Sequence, residues 1–133
     1  MQVRQKVRDN IRGRLRDATP AEDRLYGRFS TGPYPQIGVS TPEDAGEQYS
    51  GSSFGIQNTM TLCLDIAVEQ FEGDVSDGSD AMAMIVESVV DEDRSFGGVV
   101  DECVLISTVM EDIEDGESAI GFVRLVYELR YVK

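Results

Sequence analysis

The side chains best placed to do chemistry in this chain are carboxylates. They concentrate in two stretches, GDVSDGSD (Gly73 to Asp80), where Asp74, Asp77 and Asp80 lie three apart, and EDIEDGES (Glu111 to Ser118). Clustered acids can hold a hard cation such as calcium, and paired carboxylates can carry acid–base hydrolysis. The first stretch loosely resembles a calcium loop but lacks the D-x-[DN]-x-[DN]-G spacing and the glutamate twelve places on. The second reads as an acidic turn with no recognised ligand set, and no carboxylate pair is singled out. The chain contains no histidine. That removes the commonest general base, the usual metal ligand and every Ser-His or Cys-His nucleophile pair. Cys63 and Cys103 are too few for a disulfide framework and lack zinc spacing, so both are expected as reduced thiols packed on strands. Phosphate loops, dinucleotide fingerprints and nucleophile elbows do not occur. A hydrolase resting on two carboxylates stays open at this point, and no cofactor or metal is expected.

The elements that would position any site follow from periodicity. The C-terminal run GFVRLVYELRYV (Gly121 to Val132) has Val123, Leu125, Tyr127, Leu129 and Tyr131 at every second position, with Arg124, Glu128 and Arg130 between them. That is a strand with one face on a core, and the most strongly patterned one, so it is expected in the middle of a sheet. Asn58 to Phe71 is a second long strand, with Met60, Leu62, Leu64, Ile66 and Val68 on one face and a polar face that includes Asp65 and Glu69. These two acids could pair across strands with Arg124 and Arg130, which matters for choosing a neighbour more than for stability. Residues 102 to 110 and 119 to 132 form an antiparallel hairpin, and Gln36 to Ser40 and Leu25 to Arg28 read as short strands.

Two helices complete the set. Residues 2 to 17 place Val3, Val7, Ile11 and Leu15 four apart, a narrow apolar stripe on a helix that ends before Thr19-Pro20. Residues 79 to 93 form a second helix with Ser79 or Asp80 as N-cap, a stripe of Met82, Ile85, Val86 and Val89, and a Gly97-Gly98 stop. Residues 41 to 58 read as a flexible loop, with Tyr49 and Phe54 as candidate anchors for a partner. The whole is one domain, residues 1 to 133, of α+β class: a largely antiparallel sheet of four to five strands with both helices on one face.

Length and charge narrow the role. With 133 residues, 41% of them hydrophobic, one core is expected, burying about two thirds of the unfolded chain's surface. No apolar run approaches the ~18 residues of a membrane span, and a cytosolic, soluble chain is expected. The net charge of −13 is uneven: residues 1 to 18 hold six of the twelve basic residues (Arg4, Lys6, Arg8, Arg12, Arg14 and Arg16) against Asp9 and Asp17, a local balance of +4 against −17 for the rest. An acidic body repels nucleic acid and membranes, whereas the basic helix suits an acidic partner, including a second copy, or simply a solvated face. Arg4, Arg8, Arg12 and Arg16 are therefore candidate interface residues, with Tyr49, Phe54, Asp65, Glu69, Arg124 and Arg130.

The order of these segments resembles one family. A basic N-terminal helix leads to a short strand ending in arginine (LYGRF, Leu25 to Phe29) and a proline-led strand (PQIGV, Pro35 to Val39). After a polar loop come the long TLCLDIAV strand and a D-x-x-D entry (Asp77, Asp80) to a helix carrying Ile85-Val86-Glu87. A Gly-Gly break and the closing RLVYELRY (Arg124 to Tyr131) complete the chain. This is similar to the tail-terminator proteins of long-tailed phages and prophages, the minor tail protein U type. The resemblance implies a non-enzymatic virion component, assembled in the host cytoplasm, that forms a six-fold ring on the head-proximal end of the tail tube. Its implied partners are further copies of itself, the tail tube protein and a head-completion or connector protein, with DNA passing through unbound. The stretch Thr41 to Asn58 carries no family motif. A neck or head-completion protein and an acidic adaptor for a basic partner remain the alternatives.

Overall fold

The computed structural model describes residues 2–18, 22–24, 35–48, 56–70, 75–115 and 118–132. In chain order these form α1 (Val3–Ala18), β1 (Glu22–Arg24), β2 (Gln36–Gln48), β3 (Ile56–Gln70), α2 (Val75–Glu92), β4 (Glu102–Asp115) and β5 (Ser118–Val132). The strands make one sheet in the order β1-β2-β3-β5-β4. All pairs are antiparallel except β1 with β2. The architecture is α+β, and β5, flanked by β3 and β4, occupies the interior position its pattern predicts.

The core lies between the sheet and the two helices. From the sheet come Ile37, Val39, Met60, Leu62, Leu64, Ile66, Val123, Leu125, Tyr127, Leu129 and Tyr131, all buried. From α1 come Val7, Ile11 and Leu15, the stripe read from its spacing, with Val3 half-buried at the margin. From α2 come Ala83, Val86, Val89 and Val90. The predicted stripe holds at Val86 and Val89, with Met82 partly buried against the core, and fails at Ile85, which is 42% exposed; Met84 is 67% exposed. α2 is rotated so that its small and β-branched residues meet β3 and β5, leaving the longer side chains outward.

Three boundaries also differ from expectation. The loop foreseen over residues 41 to 58 is mostly strand, because β2 runs on to Gln48 and pairs with β3 from Ile56. Backbone pairing uses main-chain groups alone, so a polar sequence can hold the ladder. A bulge between Ser40 and Glu43 carries Pro42, which has no N–H to donate, out of the ladder. The acidic segment Glu111 to Asp115 continues β4 rather than forming the turn. Helix α2 begins at Val75, so Ser79 is not an N-cap; it lies inside the helix and is fully buried. Asp77 and Asp80 fall in the first two turns of the helix, and Gly78 is carried at about 1 kcal/mol. The backbone of residues 75–80 is thus helical, not the loop a calcium site needs. The strand expected at Leu25 to Arg28 lies outside the described residues; β1 precedes it.

The polar face of β3 is drier than predicted. Cys63, Asp65 and Ala67 are buried, although they point away from the helices. Each lies between neighbours on both sides: Ser40, Gly38 and Gln36 of β2, and Val126, Arg124 and Phe122 of β5. The two cysteines are on opposite faces of the sheet, since Cys63 is level with Val126 and Cys103 with buried Leu129. Both are free thiols.

The segment after α2 is held by one carboxylate. Asp93 accepts from the Ser95 amide at 3.0 Å, the Ser95 hydroxyl at 2.5 Å and the Gly97 amide at 2.9 Å. Phe96, Gly97 and Gly98 have φ of 51°, 77° and 87°, three consecutive left-handed residues that turn the buried Phe96 ring into the core. Those hydrogen bonds, the Ser95 hydroxyl foremost, hold the Asp93 carboxyl below its usual 3.8. A depressed carboxyl contributes stability above the unfolded value, lost as pH falls through the folded one. Asp93→Asn is therefore expected to melt below the parent at about pH 7, with the gap closing below about pH 4. A gap that stays constant in thermal melts across that range would assign the loss to something other than the carboxylate.

Candidate interaction surface

Among the described residues no three His, Cys, Asp or Glu side chains come together as a metal site. The Cys103 thiol is pushed up to about 11 by burial, the opposite of an activated nucleophile. What the molecule does present is an open sheet edge.

α2 packs on β3 and β5, and α1 on β2, so the helical layer stops short of β4. Every residue from Val104 to Asp112 is exposed as a result. Five of them are large and apolar: Val104, Leu105, Ile106, Val109 and Met110, from 36% to 54% exposed. Register places Leu105 level with Tyr127 and Met110 with Val123 on the helix side, and Val104 level with Glu128 and Val109 with Arg124 on the other. Ile106 sits in a bulge between Leu105 and Ser107. Both faces of the strand are therefore apolar and uncovered along the same length. Edge strands are ordinarily blunted by shortness, lysine or proline; β4 has 14 residues and neither residue type. Beyond Met110 the strand turns acidic, with Glu111, Asp112, Glu114 and Asp115.

A second exposed apolar area lies on the helical layer. Ala18, Ala81, Met84, Ile85, Ser88, Val89 and Glu92 line an open groove of about 530 Å³ where α1 ends beside α2.

The residues singled out from the sequence take varied positions. Arg8 donates to the Thr41 hydroxyl at 2.6 Å, and Arg12 lies 3.5 Å from the Val39 carbonyl and 3.9 Å from Asp9. These two arginines tie α1 to β2. Arg4 contacts the Gln2 side chain, and Arg16 stands exposed in the last turn. Asp65 and Arg124 face each other across β3 and β5 and form two bonds, 2.6 Å and 3.1 Å, with the Asp65 side chain 7% and the Arg124 side chain 55% exposed. Asp65 raises the Arg124 guanidinium above its usual value. Arg130 bonds Glu128 and lies 3.4 Å from Glu102 on β4, whereas Glu69 is level with Ile120, so those two do not meet. Tyr49 and Phe54 lie outside the described residues.

The β4 patch was not read from the sequence, though a signal is present. Val104-Leu105-Ile106 and Val109-Met110 put apolar groups on both parities, the pattern of strands that are ordinarily covered on both faces.

Fold and surface together define an α+β domain whose sheet stays open along one long apolar edge. No family model and no curated protein matches the chain. Among solved structures it is similar to a chain of "Virion of native gene transfer agent (GTA) particle", with a TM-score of 0.50 at 12% identity, over 98% of this chain and 92% of that one. The likeness is one of fold.

Proposed function

We propose that this chain is a non-enzymatic structural protein of a phage-like virion, and within it a tail terminator: a ring of copies, six by the family resemblance, on the head-proximal end of the tail tube. The observation that carries the reading is the 14-residue β4 edge with five exposed apolar side chains, a surface suited to permanent association. The motif order from the basic helix to RLVYELRY supports the specific role, and the fold likeness to a virion chain supports the setting. Such a ring would meet the tube protein on one side and a head-completion or connector protein on the other. A charge of −17 outside α1 would keep DNA passing through it from adhering. Among the described residues no helix is long and apolar enough to cross a membrane.

Deletion of the gene is expected to yield overlong, ragged tubes without heads in electron micrographs, with length restored by a plasmid copy. Tubes of normal length with unattached heads would transfer the assignment to a neck or head-completion protein. Intact particles would transfer it to the acidic adaptor.

A further inference from the structure

We propose that the free edge of β4 takes up an extended segment of a different protein as an added strand, apolar on both faces along Val104–Met110 and carrying lysine or arginine opposite Glu111. The proposal rests on the reading of the chain as an assembling virion protein and names the kind of partner that its open edge fits.

The placement of the apolar side chains selects a strand. Val104 and Val109 point away from the helices and Leu105 and Met110 toward them, all exposed along the same length. A helix or a globular surface laid on either face would leave the other face in water. A strand in the plane of the sheet touches both rows at once, because its own side chains alternate between the faces. Its backbone also meets the N–H and C=O groups that an edge strand leaves unpaired.

Charge describes that strand further. β5, on the paired side of β4, turns buried apolar residues toward the helices and, on the far face, holds Arg130 3.4 Å from Glu102. At the other end of the exposed run, Glu111 is level with Phe122, and Arg124, the next arginine along that face, is bonded to Asp65. Glu111 is exposed. A cation on the incoming strand opposite Glu111 would give it the kind of partner that β5 gives Glu102.

The strands of a second copy fit this edge poorly. In an antiparallel pair of β4 strands, residues opposite each other share a face. The register that opposes Val104 to Val109 also opposes Glu102 to Glu111 at both ends, and sliding by two residues sets Glu102 against Val109 or Glu111 against Val104. β1 has three residues, and β2 beyond its pairing with β1 is interrupted by Pro42 and a bulge, features that blunt an edge.

The probe is a fluorescently tagged peptide, Lys-Thr-Val-Val-Thr-Thr-Val-Val-Lys, titrated with the full chain. Saturable binding is expected in fluorescence anisotropy. It should weaken at least about tenfold for the Glu111→Lys chain, for the Val104→Lys chain, and for a peptide with glutamate at both ends. Both chain variants are expected to melt within a few degrees of the parent, since both positions are exposed. No saturable binding, or binding that the two variants and the acidic peptide leave unchanged, would overturn the proposal. So would a parent dimer in sedimentation equilibrium that Val104→Lys abolishes, because the edge would then belong to a second copy. None of these outcomes bears on tube length in the deletion strain, so the failure of this contact and the failure of the terminator reading are separable.

Discussion

Arg14→Ala is expected to destabilise the fold by about 3 kcal/mol, roughly 10 °C in a thermal melt of a chain this size. The Arg14 guanidinium reaches from α1 to the end of α2, donating to the carbonyls of Val89 and Val90 and to that of Asp93 at 2.9 Å. It also lies 5.7 Å from the centre of the Phe96 ring and bonds Asn10 at 3.2 Å. The last carbonyls of a helix have no partner within it, and a cation there also meets the negative end of the dipole. Alanine leaves those carbonyls with fewer donors and removes the charge stacked over the aromatic face. Arg14→Lys keeps the charge but not the planar fork, so it should recover less than half the loss. A loss under about 1 kcal/mol for the alanine variant would show that water satisfies the end of α2 equally well.

The second large effect concerns Asp65 and Arg124. Arg124→Met is expected to cost about 2 to 3 kcal/mol, because it strands a carboxylate whose side chain is only 7% exposed. Replacing both, Asp65→Leu with Arg124→Met, should return most of that, since no charge is then left without a partner. Denaturant unfolding of the two singles and the double gives the coupling directly. Additive losses would mean that the pair does not act as a unit.

Most of the fold was legible because its signals are local. The period-two pattern of β5 and the four-residue spacing of Val3, Val7, Ile11 and Leu15 depend only on which face meets a core. The errors arose where tertiary pairing outweighed local composition. Thr41 to Gln48 looks like loop by its Gly, Pro and acid content, yet a ladder to β3 fixes it as strand. The stripe on α2 was shifted because methionine and isoleucine suit a core as well as Ala83 and Val90 do, and only the packed sheet distinguishes them. The candidate surface was legible in part: the partner of Asp65 could be read from two alternating strands, and register made it Arg124. The exposure of β4 could not be read, because it depends on where α2 stops.

A free edge also has a cost of its own. Strands stack most readily as in-register copies about 4.8 Å apart, the arrangement of fibrils, and the Val104–Met110 run has the apolar content for it. In such a stack Glu111, Asp112, Glu114 and Asp115 would each lie against their own equivalents. Four like charges repeated at that spacing act as a gatekeeper. Acids at the end of β4 would oppose such a stack without shortening the apolar run beside them.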